Sequence, residues 1–334
     1  MDASTHEALP NVNVFLTGTS LGAATDRDGK FQIRHVPLAA HELVVSLVGY
    51  QRQTVKLQIF EPTEQKVQVQ LAPVAIETQT VEVVAKDPKA WREQYTRFEK
   101  EFLGETRNAA QCRIINPERL EFKVEGDRFE MTTSVPVIVE NRALGYRVEF
   151  LMEEFLLEQY TLQYRAKTKF QELTPRDEQE LSRWKESRRR AYHGSRQHFL
   201  KALARGATRR EGFDVSLVPT IRPLGRNSRP ATTLANPEQY VFDTEFNFQK
   251  RLQFPDYLQI VYTRERADPD FRYTTDPWEV PSDIQVSWLA LNRLSALFTV
   301  DGHTVDSYSL KVYGYWAFER VAELLPMDYE PSDQ

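Results

Sequence analysis

Residues 10–50, PNVNVFLTGTSLGAATDRDGKFQIRHVPLAAHELVVSLVGY, decide how the chain begins to fold. Val12, Val14 and Leu16 recur at a period of two, alternating with Asn11, Asn13 and Thr17, which predicts a strand buried on one face. Thr17-Gly18-Thr19 breaks that run, and Leu21 to Thr25 can form a short second strand. Asp26-Arg27-Asp28-Gly29 supplies turn chemistry, because Asp carboxylates accept from nearby amides and Gly takes a positive φ. Phe31 and Ile33 then predict a third strand, ended by Val36-Pro37, since Pro cannot donate to a ladder. His41 to Val48 predicts a central strand rich in aliphatic residues, closed by Gly49-Tyr50. Short strands at regular spacing argue for a small β-sandwich.

Working outward, Val55, Leu57 and Ile59, then Val67, Val69 and Leu71, continue the alternation and are expected to complete the sandwich. Leu9 to Val14, Gly18 to Gly22, Thr25 to Phe31, Val36-Pro37 and Val48-Gly49-Tyr50 together resemble the carboxypeptidase regulatory-like domain. The resemblance implies a transthyretin-like sandwich of the kind found in envelope proteins of the Bacteroidota type, a fold shared more widely than any one function. That family opens on a strand of the form Gly-x-Val-x-Asp, and Met1 to Ser4 stand where it would end. The expectation is therefore a sequence lacking an edge strand and any export signal before it. Val81 to Ala85 is similar to the segment following this module in TonB-dependent receptors. The rest of the chain does not offer the alternating strands that such a barrel needs.

With 334 residues two domains are the natural prior. Composition is that of a globular protein, 41% hydrophobic and 27% charged with net charge −5. No apolar run reaches the length of a spanning helix. The single cysteine, Cys112, excludes an internal disulfide and reads as a small hydrophobe rather than a nucleophile.

Ala72 to Ala85 reads as an extended linker. A helix follows, with Asp87 as N-cap, Pro88 first in the helix, and Trp91, Tyr95, Phe98 and Phe102 on one face. Gly104 can end it. An aromatic stripe at that spacing is core far more often than ligand site. Cys112 to Leu173 predicts an antiparallel meander, with Met152 to Leu157 ambiguous between helix and strand. Thr174 to Asp177 resembles a capping box opening a second helical region, which Gly194 divides in two. Strands are expected again at 214–219, 239–248, 257–263, 283–289, 296–300 and 308–312, with a polar loop at 223–237. A short helix containing Trp316, Val321 and Leu324 closes the chain. Ala191 to Ser195, Asn141 to Tyr146 and Gly314 to Trp316 resemble features of the second domain that accompanies this module in envelope proteins.

Between Arg183 and Arg210 stand ten Lys or Arg residues against one acid, Glu186. Such a run can contact an anionic surface, here through Arg183, Lys185, Arg188, Arg189 and Arg190, or can be a solvated face pairing with acids elsewhere. A nucleic-acid partner is not expected of an acidic chain without a recognised module.

The six histidines show neither HxxE nor HExxH, so the zinc chemistry of a peptidase has no ligand pattern. His193 and His198 are five apart, a poor spacing for one helical face. There is no phosphate-binding glycine loop. Asp26 to Gly29 overlaps a calcium loop, but Pro37 stands where the bidentate Glu would be. No catalytic, cofactor-binding or metal residue is assigned, and no cofactor is expected.

The reading is a mainly β protein. A sandwich at 1–72 and a linker at 73–86 precede an α+β domain at 87–330, with antiparallel strands and two or three helical segments. The expected role is non-enzymatic binding or assembly in the periplasm or at the outer membrane, through protein or glycan contacts. A hydrolase with a dispersed site in the second domain is the alternative.

Overall fold

A computed structural model describes residues 1–74, 88–158, 161–222, 233–275, 278–281, 283–306 and 308–331. The expected Asp87 cap, the Val81 to Ala85 segment and most of the 223–237 loop lie outside the described residues.

The protein is mainly β. Near the N-terminus, β1 (Asn13–Leu16), β2 (Gly22–Ala24), β3 (Ala39–Ser46) and β4 (Gln53–Ile59) make one antiparallel sheet in the order β2-β1-β3-β4. Its core collects Leu9, Val12, Val14, Leu16, Leu43, Val45 and Leu71. Phe31, Ile33, Val67 and Val69 pack against that core and are half-buried, as their alternation demands, yet neither stretch is a strand. Only Leu71 enters a bridge, parallel to Asp2. Alternation decides which side chains face inward, whereas a ladder also needs a second backbone within about 4.8 Å.

The larger region opens with α1 (Pro88–Leu103), where Phe98 and Phe102 are fully buried. Gly104 ends it at φ +93°, its N–H donating to Lys100. β5 (Cys112–Ile114), β6 (Glu121–Glu125), β7 (Arg128–Thr132), β8 (Val137–Asn141), β9 (Tyr146–Glu158) and β10 (Thr161–Glu172) form a six-stranded antiparallel sheet. The ambiguous 152–157 stretch is strand, because β9 is long enough to pair with β8 and then β7 on one side and with β10 on the other.

Two helices follow, α2 (Glu178–Tyr192) and α3 (Arg196–Ala204). Asp177 itself caps α2, accepting from the Glu180 N–H, while the Glu180 carboxylate accepts from the Arg176 N–H. The cap is therefore Asp177 rather than the expected Thr174.

Next come β11 (Phe213–Val218), β12 (Val241–Asp243), β13 (Gln249–Leu252), β14 (Tyr257–Arg266), β15 (Arg272–Thr275), β16 (Trp278–Pro281), β17 (Ile284–Leu291), β18 (Ala296–Thr299) and β19 (Leu310–Gly314). They form sheets β11-β14-β17-β19 and β12-β13-β18, plus the hairpin β15-β16. A shared core of Phe213, Ile260, Leu289, Leu252 and Phe298 joins the first two sheets to Phe199 and Leu203 of α3. The single strand expected at 239–248 is instead a 3-10 turn (Pro237–Tyr240) followed by the short β12. The closing helix is also shorter: α4 (Tyr315–Phe318) and a 3-10 turn (Val321–Glu323) replace it. Trp316 enters the core of the β11 and β12 sheets while Val321 and Leu325 enter the α1 core, so the chain opens at Arg320 to reach both.

The turn after β1 ties the two regions together. The Gly18 N–H donates to the Thr168 carbonyl at 2.7 Å, the Phe170 N–H to Thr19 at 3.1 Å, and the Met327 N–H to Gly18 at 2.7 Å. Ser20 Oγ donates to Asp328 at 2.5 Å, and Phe60 stacks on Phe246 and Phe248 with centroids 4.7 and 5.1 Å apart.

Candidate functional site

A group of perturbed ionisable side chains lies where α2 passes into α3. Gly194 makes the bend at φ +78°, and a Cβ there would stand 2.5 Å from Gln285 Oε1 and 2.7 Å from the Tyr262 ring. Only glycine fits this close approach. The bend brings together two imidazoles that the sequence spacing argued apart: His193 and His198 have ring centroids 5.3 Å apart. Tyr192, Phe213 and Tyr262 surround His198 with centroids between 4.8 and 5.8 Å.

The Gly194 N–H points to His198 Nδ1 at 3.1 Å, which places the His198 proton on Nε2, 3.6 Å from Glu211. Burial, aided by His193, lowers His198 to about 4, although Glu211 pulls the other way. His193 is lowered too, by burial and then Arg189, and its Nδ1 is buried with no hydrogen-bond partner. Burial raises Glu265 on β14 and pushes Tyr262 up to about 12. Both imidazoles are thus neutral at neutral pH. Among the described residues no group of three or more His, Cys, Asp or Glu side chains is arranged to hold a metal ion.

The five basic residues expected at an anionic surface are divided. Arg188 is buried: its guanidinium donates to the Leu144 and Gly145 carbonyls and to Glu172, and it lies 4.0 Å from the Tyr146 ring centroid. It holds the start of β9 to α2 and is not available to a surface, because the buried Leu144 carbonyl needs its donor, whereas the Gly145 carbonyl also accepts from the Leu173 N–H. Arg183, Lys185, Arg189 and Arg190 are exposed, the last two sharing Glu186. Lys201 is likewise withdrawn, buried against Glu330. Cys112 is half-buried with its thiol pushed up to about 12 by burial, which disfavours the thiolate.

Two surface features remain. Among the described residues β4 pairs only with β3, leaving a seven-residue outer edge on which Thr54, Lys56 and Gln58 are exposed. The three-stranded sheet of β12, β13 and β18 carries exposed apolar residues that no spacing in the sequence singled out.

A four-stranded antiparallel sheet opens the chain, and residues 1–83 match the CarboxypepD_reg-like domain. The matched residues enclose β1 to β4 and both extended stretches beside them. No curated protein matches the chain, and no solved structure does.

Proposed function

We propose that the chain is a non-enzymatic binding or assembly protein of the cell envelope, working through protein or glycan contacts. The supporting observation is the outer edge of β4, a row of backbone groups on a CarboxypepD_reg-like sheet that can accept an added strand. Lys56, in the middle of that edge, discourages indiscriminate pairing, which suits a specific partner better than self-association. The periplasmic face of the outer membrane is the proposed location, on the resemblance of the module.

The test is photo-crosslinking from position 56 of the whole chain in envelope extract. One reproducible partner crosslinked at β4 is expected, and it is lost when Val55 and Leu57 are both replaced by Pro. A retained small molecule that the chain turns over would overturn the reading in favour of a hydrolase. That alternative would draw on His193, His198 and Glu211. His198, however, is only 4% exposed, and one of its nitrogens already accepts from the backbone.

A further inference from the structure

Of the exposed large hydrophobic side chains among the described residues, Phe242, Leu294, Leu297 and Val305 lie on or beside the β12-β13-β18 sheet. The register puts three of them in one line. Phe242 of β12 stands opposite Arg251 of β13, and Arg251 opposite Leu297 of β18. The Val305 N–H donates to the Leu297 carbonyl, next to the bridge between Phe298 and Thr304, so Val305 extends the same line. Directly opposed residues share a face. Their neighbours Leu252, Ala296 and Phe298 point the other way, into the core. The outer face therefore presents Phe242, Arg251, Leu297 and Val305, at 42% exposure for Phe242, 37% for Leu297 and 49% for Val305.

We infer that this line docks an amphipathic helix of a partner protein, with a carboxylate of the helix on Arg251 and apolar side chains on Phe242, Leu297 and Val305. Spacing selects the helix. Positions in the line repeat at about 4.8 Å, the distance between strands. Helical residues at i, i+3, i+7 and i+10 fall at about 0, 4.5, 10.5 and 15 Å along the axis, close to that repeat. An extended segment crossing the strands would offer one side chain on this face every ~6.7 Å and would lose register within two steps.

Charge selects the acid. Among the described residues Arg251 makes no ion pair; its guanidinium lies 5.8 Å from the Phe242 ring centroid, in the middle of an apolar line. A carboxylate facing it would form a charge-assisted hydrogen bond shielded by apolar neighbours on either side. The helices of a second copy do not fit, because α1, α2 and α3 already bury apolar residues, Phe98 and Phe102, Trp184 and Tyr192, and Phe199 and Leu203, within their own fold. The inference rests on the chain's being a binding protein but not on the β4 edge.

The experiment titrates the full chain with short synthetic helical peptides carrying Leu, Glu, Leu and Leu at i, i+3, i+7 and i+10, and with the same peptide bearing Lys in place of Glu. Fluorescence anisotropy reads the binding, and circular dichroism confirms that each protein variant is folded. Saturable binding of the Glu peptide is expected, with the Lys peptide weaker by about tenfold or more. Leu297→Ser weakens the Glu peptide by about tenfold, and Arg251→Glu reverses the preference between the two. Equal binding of both peptides, binding of neither, or indifference to Leu297→Ser would overturn the inference. So would a dimer in sedimentation that Leu297→Ser dissolves, since the line would then belong to a second copy. Capture at β4 that survives while the peptides fail would sink this inference and leave the proposed function standing.

Discussion

The N-terminal module and the region after residue 88 are both built from antiparallel strands, but they are held together differently. In the module, Phe31, Ile33, Val67 and Val69 reach the core from stretches that have no ladder, so side-chain burial runs ahead of backbone pairing. In the larger region burial and hydrogen bonding coincide. Tyr146 on β9 is buried, stands opposite Asn141 and Glu172 in two ladders, and supports the Arg188 guanidinium. The difference teaches that an apolar face can be satisfied locally, whereas backbone groups need partners that arrive from elsewhere in the chain. It also explains the turn after β1. Gly18 and Thr19 complete hydrogen bonds with Thr168, Phe170 and Met327, so the module draws part of its order from the larger region.

The largest expected effect breaks the better-knit side. Gly145 sits at φ +70°, and a Cβ there would lie 2.2 Å from the Trp184 ring. Gly145→Ala therefore combines a disfavoured backbone with a clash against a buried indole, and should cost about 4 kcal/mol or more in denaturant unfolding. If the module depends on the larger region, its signal moves with the main transition. An unchanged module transition would show the two regions to be independent.

Arg188→Ala comes next. It strands the buried Leu144 carbonyl, leaves the Gly145 carbonyl with the Leu173 N–H alone, and removes the cation from the Tyr146 face, at about 3 kcal/mol. Glu172 is 61% exposed, so the ion pair contributes little of that loss. Arg188→Lys keeps the charge without the planar fork and should recover less than half of the stability.

The histidine pair sharpens the comparison through pH. An unfolded His binds its proton near 6.5, whereas His198 in the fold waits until about 4. Its contribution is complete above pH 6.5 and is lost as pH falls toward 4. After burial, His193 and then Arg264 add to this by opposing the imidazolium, while Glu211 favours it. Glu319 runs the other way. Burial, with Glu323 beside it, holds its carboxyl well above the usual range, so its contribution is present at low pH and lost as pH rises above 4.5. His198→Gln should flatten the acid limb of a stability–pH curve by on the order of 2 kcal/mol between pH 6.5 and 4. An unaltered limb would remove His198 from the account.

The smallest effect is at the junction. Asp328→Ala removes an exposed acceptor for the Ser20 hydroxyl and N–H, and should cost about 0.5–1 kcal/mol. Faster amide exchange confined to residues 17–20 would locate the loss. No change there would assign the junction to the backbone bonds, the Phe60 stack and the contacts of Lys167 and Lys169 with β1, β3 and β4.

Much of the architecture was legible because it depends on local chemistry. Asn13 to Leu16 and Val55 to Ile59 are strands whose side chains at a period of two face one core, although Phe15 is buried on the other face of the first. Trp91 to Phe102 is a helix whose stripe is core, and Gly104 and Gly194 stop helices where only glycine takes the required φ. The candidate sites were not legible. His193 and His198 meet because Gly194 turns the chain between them, and a spacing of five residues reads as separation on any straight helix. Arg188 looks like its basic neighbours until its helix is laid against the Leu144 and Gly145 carbonyls. Phe242, Arg251, Leu297 and Val305 share a line only through sheet register, which unites residues far apart in sequence. The sequence by itself determined the β class, the N-terminal module, and which faces turn inward, because those follow from periodicity and turn residues. Tertiary structure alone decided which basic residues are buried, which strands keep a free edge, and which exposed side chains stand together. Those outcomes depend on which distant segment arrives alongside, and no local pattern carries that information.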